Sequence, residues 1–155
     1  MVGRVLFYFL PDCLPHHEQA ITPITSRNLV GPEKDLQLLS FSIDPGNDRP
    51  HVLKQYRNFH KLPKENWDLL TGNETETHRL GIEHFMVFAG KDSLSAGGYA
   101  HSGAFTLVDA KGYVRGVYAV TNLDMTVNEQ EYLRMVKELN MLYHEYLTTR
   151  KKTDL

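Results

Sequence analysis

The chain's one cysteine, Cys13, stands in the run PDCLPHH, shortly before the adjacent histidines His16 and His17. Thiolate and imidazole are strong ligands for copper and zinc, so this cluster could supply part of a metal site. Pro15 suits the first turn of a helix, which places Cys13 just ahead of a helix N-terminus. Backbone amides and the helix dipole stabilise a thiolate there and lower its pKa. With no second cysteine to resolve it, such a thiol is limited to mixed disulfides or a sulfenic acid, and dithiol exchange is rejected. The bland alternative is a buried Cys13 acting as a small hydrophobe, beside two histidines that face solvent. Metal ligand, single reactive thiol and core residue all stand as readings of the same residues.

The elements that must position this cluster follow from periodicity. RVLFYFL is a continuous apolar run of the kind that forms a strand buried on both faces. It stops at Pro11-Asp12, and a helix is expected from Pro15 until Pro23 kinks or ends it. DLQLLSFSI reads as a second buried strand ending at Asp44, followed by the turn cluster DPGNDRP. In that cluster Asp48 is the expected N-cap, and Pro50 lies in the first turn of a helix whose apolar stripe is Val52, Leu53, Tyr56 and Phe59. WDLLTGN reads as a short strand and turn, ETETHRLGI as a short helix, and FMVFAG as a brief strand. AFTLVDAKGYVRGVY is a hairpin turning at Asp109-Ala110-Lys111-Gly112. Asn128 and Glu131 match a capping box at the head of a long helix, with Leu133, Val136, Leu139 and Tyr143 as its apolar stripe. Strands alternating with helices, then a hairpin and a helix, predict one three-layer α/β domain spanning residues 1–155.

Composition narrows the function classes. With 155 residues, 41% hydrophobic and 23% charged, the chain can bury roughly 70% of its unfolded surface without staples. A formal charge of −2 gives no overall footprint for nucleic acid or an anionic membrane. One cysteine excludes an internal disulfide framework and any thiolate-only metal site. The first apolar run is too short for a signal peptide or a membrane span, so any leader or anchor is expected upstream of these residues.

PDCLP after the first strand, SFSIDPGNDRPHVLKQY, WDLLTG and above all HSGAFTLVDAKGYVRGVY resemble, in order and spacing, the Sco/SenC family. These are thioredoxin-like copper proteins of cytochrome c oxidase assembly. The resemblance runs from about Gly3 to the final helix and implies a central mixed β-sheet flanked by helices, here without the usual N-terminal extension. Family members bind copper through two cysteines in a Cys-Pro-Asp-x-Cys-Pro loop and one later histidine. An ungapped match puts Leu10 and Leu14 in place of both cysteines, Cys13 between them, and His101 at the histidine position.

The family's copper(I) site is thus missing its thiolate pair. Cys13 and His17 repeat the spacing of that pair, so Cys13, His17 and His101 could form a one-sulfur, two-nitrogen site, with His16 in reserve. Such a site suits copper(II) or zinc better than copper(I). The family's Asp-Pro-x-x-Asp turn adjoins the metal loop, so Asp44 and Asp48 could orient a ligand from the second shell; the structural alternative is that Asp48 caps a helix and Asp44 shapes the turn. The other histidines, at 51, 60, 78, 84 and 144, are expected at the surface or half buried, without a role. The resemblance implies a non-enzymatic, extracytoplasmic, membrane-tethered protein whose partner is a cytochrome oxidase subunit or another copper protein. A missing flanking strand would leave a sheet edge open to self-association. Against this stand a metal-free interaction module of the same fold and a single-thiol redox protein.

Overall fold

The computed structural model describes residues 4–10, 36–91, 93–94, 99–101, 103–122 and 126–153, with backbone alone at 4–10, 89–91, 99–101 and 150–153. Five strands form the main sheet: β1 (Arg4–Leu10), β2 (Leu36–Ser42), β3 (Trp67–Leu70), β6 (Ala104–Asp109) and β7 (Val114–Ala119). Their order is β3-β2-β1-β6-β7. β1 pairs in parallel with β2 and antiparallel with β6; β2 and β3 are parallel, and β6 and β7 antiparallel. A separate small ribbon pairs β4 (Ala89–Lys91) with β5 (Tyr99–His101). Three helices complete the described chain: α1 (Pro50–Phe59), α2 (Glu74–Phe85) and α3 (Glu129–Thr153). This is the expected mixed sheet flanked by helices.

Strand parity decides what each face buries. Leu36, Leu38 and Ser40 of β2 lie on the same face as Phe105, Leu107 and Tyr118, and α1 and α3 cover it with Leu53, Tyr56, Tyr132, Met135, Leu139 and Leu142. Trp67 joins this core from β3, fully buried, with its indole N–H donating to Ser40 Oγ at 2.9 Å. The opposite face carries Phe41, Ala104 and Val117, packed with Ile43, Phe85 and Val87. α2 is tied to that face by Thr106 Oγ1, which donates to the Phe85 carbonyl at 2.7 Å.

Several local expectations are corrected. The second strand ends at Ser42, because the chain turns at Asp44, whose carbonyl accepts the Asn47 and Asp48 N–H groups. The second helix runs through Phe85 to a left-handed Met86, so most of FMVFAG is helix end and connector rather than strand. Phe59, read as core, is 73% exposed at the end of α1. In α3 the buried stripe is Tyr132, Met135, Leu139 and Leu142, whereas Leu133 is 58% exposed. Leu139 belongs to the expected stripe as well and Val136 packs against the core, so docking against Phe105 and Tyr118 turns the buried face toward Tyr132 and Met135 rather than replacing it. Asn128 does cap α3, accepting the Glu131 N–H at 3.2 Å, but the Glu131 carboxylate goes to Arg134 and the Ala119 backbone. The hairpin turns where expected: Asp109 Oδ1 accepts the Lys111 and Tyr113 N–H groups, and Gly112 takes φ +87°.

Candidate metal site at one end of the sheet

The registers gather three chain segments at one end of the sheet. Leu10, the last residue of β1, pairs with Ser42, the last residue of β2. On the other side of β1, Tyr8 pairs with Phe105, so β6 begins at this same end. His101 closes β5 three residues before that start, opposite Ala89. The end of β1, the turn carrying Asp44 and Asp48 that follows β2, and the backbone of His101 just before β6 therefore belong to the end of the sheet where β1 and β2 finish. Carboxyl ends of strands are where α/β sheets place their ligands. Cys13, Leu14, His16 and His17 lie outside the described residues. Among the described residues no three His, Cys, Asp or Glu side chains form a metal-binding group.

Ser42 organises the turn. It falls on the inward face set by Leu36 and Leu38, and its hydroxyl is fully buried. The hydroxyl donates to Asp48 Oδ2 at 2.6 Å and accepts the Asp44 N–H at 3.1 Å. Asp44 is buried and accepts from Asn47 through both carboxylate oxygens, at 3.3 Å from the backbone N–H and 2.6 Å from the side-chain amide. Asp44 thus shapes the turn, as the structural reading held. Asp48 does not cap the helix: the N-cap position of α1 is Arg49, which makes no side-chain cap bond. The Asp48 carboxylate turns inward to Ser42 instead. Burial pushes its pKa up and the charge of Asp44 adds to this, while the Ser42 hydrogen bond opposes it.

Two further residues brace this end. His78 of α2 is half buried, with Nε2 2.9 Å from the Ile43 carbonyl, so its ring N–H pins α2 to the end of β2. The sequence reading gave His78 no role, and its helix position carries no signal that it faces a strand end. Ser42 was legible in principle, since alternation from Leu36 and Leu38 puts it on the core face. Next to His101, Gly103 takes φ +56°, and a Cβ there would come within 2.8 Å of Thr121 Cβ. Glycine is therefore required where the chain passes from His101 into β6. His51, His84 and His144 are exposed, as expected, and His60 is half buried against Tyr56 and Phe59.

The donor set tests which copper ion could be held. The chain has a single cysteine, so a bis-thiolate copper(I) site does not fit its residues. One thiolate with imidazole is the chemistry of a copper(II) or zinc site, and that set is present in the chain as Cys13, His17 and His101.

Residues 14–138 match the SCO1/SenC family model. A SCO1 protein homolog of Bacillus subtilis (strain 168) is 33% identical over 85 residues, covering 52% of this chain and 42% of that protein. The match therefore spans less than half of the relative's length. A SCO1/SenC family lipoprotein from Bacillus anthracis str. Ames superposes with a TM-score of 0.67 at 23% identity, covering 89% of this chain and 82% of that one. BsSco, a member of the Sco family of cytochrome c oxidase assembly proteins in which a disulfide switch was identified, gives 0.61 at 24%, covering 88% and 80%. Copper-bound ScoI from Bradyrhizobium japonicum gives 0.59 at 20%, covering 90% and 85%. The fold is the thioredoxin-like fold of the Sco proteins. The family match extends over most of the sheet and all three helix starts, and on that ground the chain belongs to the SCO1/SenC family.

Proposed function

We propose that this protein serves cytochrome c oxidase assembly as a non-enzymatic metal-handling member of the Sco lineage, with a ligand set rebuilt around Cys13. The observation that carries this is the convergence of the end of β1, the Asp44–Asp48 turn and His101 at one end of the sheet. Cys13 follows Leu10, the last residue of β1, by three positions in the sequence. In this reading Cys13, His17 and His101 hold copper(II) as cargo, with His16 as an alternative ligand. The Ser42-bound Asp48 and the Asn47-bound Asp44 hold two carboxylates in place at the end of β2. Such carboxylates favour a cation electrostatically and can fix a histidine's orientation.

The partner in this role is an oxidase subunit or another copper protein. The full protein works outside the cytoplasm on a membrane tether, a setting supported by the lipoprotein character of the Bacillus anthracis relative. Replacement of both motif cysteines favours one rival, a metal-free interaction module that keeps the fold and the surface. Titration with copper(I) and copper(II) against a competing chelator, on the wild type and Cys13→Ala, separates the two. Stoichiometric copper(II) binding that Cys13→Ala abolishes supports the rebuilt site. Binding no tighter than the variant's background refutes it and leaves the interaction module.

A further inference from the structure

Charge is distributed unevenly along this chain. Residues 49–64 hold Arg49, Lys54, Arg57, Lys61 and Lys64 and no Asp or Glu, although the whole chain carries 19 acidic residues against 17 Lys and Arg. This segment is α1 with the first part of its exit loop, which goes on to the exposed Glu65, and it runs beside β3, an outer strand of the main sheet among the described residues. Between α1 and β3 lies a groove of about 400 Å³. Its floor is apolar, from Leu53, Leu69 and Leu70, and its rim carries Lys54, Arg57 and Lys64. Arg57 donates its guanidinium N–H groups to neutral acceptors, the carbonyls of Pro63 at 2.6 Å and Trp67 at 2.5 Å, and among the described residues it meets no carboxylate. Lys54 and Lys64 are exposed, and among the described residues neither has a carboxylate partner. Three cations over an apolar floor form a strongly one-signed surface on a protein whose net charge is negative.

We propose that the groove between α1 and β3 docks an extended acidic segment of a partner protein. The segment's carboxylates pair with Lys54, Arg57 and Lys64, and an apolar side chain sits on Leu53, Leu69 and Leu70. An extended peptide suits the place because an outer strand offers main-chain groups along its free side. A concave apolar floor favours a peptide side chain over a lipid headgroup layer, which is flat. Pro50 and Thr71, at the far end of the groove, lie where β2 and β3 end. A partner held there lies alongside the sheet end that carries Asp44, Asp48 and His101. The proposal stands whether or not that end binds a metal.

The test uses the full chain and a fluorescein-labelled peptide of alternating Glu and Leu, read by anisotropy, with an alternating Lys and Leu peptide as control. The variant is Lys54→Glu with Lys64→Glu; Arg57 is left alone because it ties α1 to the start of β3, and the far-ultraviolet spectrum checks folding. The acidic peptide is expected to bind, to weaken about tenfold or more in the variant, and to weaken with added salt. Equal binding of the acidic peptide to wild type and variant overturns the proposal, as does preference for the basic peptide. Failure of the peptide alongside binding to vesicles of phosphatidylcholine and phosphatidylserine overturns it in favour of a membrane surface. Sedimentation as a dimer that the variant dissociates, with no peptide binding, overturns it in favour of a second copy.

Discussion

Ser42→Ala is the perturbation that most directly probes how the turn at the sheet end is built. The substitution keeps the strand and removes one buried oxygen, which donates to Asp48 and accepts from the Asp44 N–H. A hydrogen bond to a charged group contributes about 1.5–3 kcal/mol, and an orphaned buried N–H costs about 1–3 kcal/mol. The loss expected near neutral pH is therefore about 3–5 kcal/mol. It depends on pH in a defined direction. Burial raises the folded-state pKa of Asp48 above its ordinary value of 3.8. Between those two pKa values the folded chain binds more protons than the unfolded chain, so Asp48 makes stability fall as pH rises through that window. Ser42 favours the carboxylate and so limits that fall; without it the folded pKa rises further and the fall is steeper. The cost of Ser42→Ala is therefore largest above the window and smallest below 3.8, where Asp48 is protonated in both states. Urea unfolding of wild type, Ser42→Ala, Asp48→Asn and the double variant, at about pH 7 and about pH 3.5, gives the coupling energy at each pH. A coupling of about 1.5–3 kcal/mol near neutrality that shrinks on acidification is expected. A coupling near zero at neutral pH, or one that grows on acidification, would refute the reasoning.

Two other substitutions test the packing. Met135→Ala removes a fully buried side chain and should cost about 2–5 kcal/mol in urea unfolding, whereas Leu133→Ala on the exposed side of α3 should stay within about 0.5 kcal/mol; a larger loss at Leu133 than at Met135 would mean the helix docks with its Leu133 side. Gly103→Ala forces a side chain into the left-handed region and against Thr121, so it should cost about 2–4 kcal/mol and lower Tm, and an unchanged Tm would contradict the backbone path between His101 and β6.

Elements whose signal is local were legible in the amino-acid order. An unbroken apolar run marked β1, a Leu- and Phe-rich run marked β2, Asp109 to Gly112 marked the hairpin, and Asn128 marked the head of α3. These depend on a residue's own backbone preferences and on neighbours a few positions away. The family resemblance, read from the Asp44–Pro50 turn and the His101–Tyr118 hairpin, rests on the same kind of short ordered pattern. The lack of a thiolate pair was equally plain, since the chain holds one cysteine.

Tertiary structure decided whatever depends on which surfaces meet. Of the expected stripe on α3, Leu139 is core and Val136 packs against it, and only docking on Phe105 and Tyr118 shows that the face is completed by Tyr132, Met135 and Leu142 rather than by Leu133. Asp48 has the local position of a helix cap, but Ser42 lies within 2.6 Å on an adjoining strand and takes its carboxylate inward. His78 reaches the Ile43 carbonyl, and α1 closes a cationic groove with β3, through contacts that no short stretch contains. The physical reason is common to all of these. A residue's periodicity limits the directions it can face, while the partner it meets there is set by how the elements pack, whether that partner is six residues away, as Ser42 is from Asp48, or 35, as Ile43 is from His78.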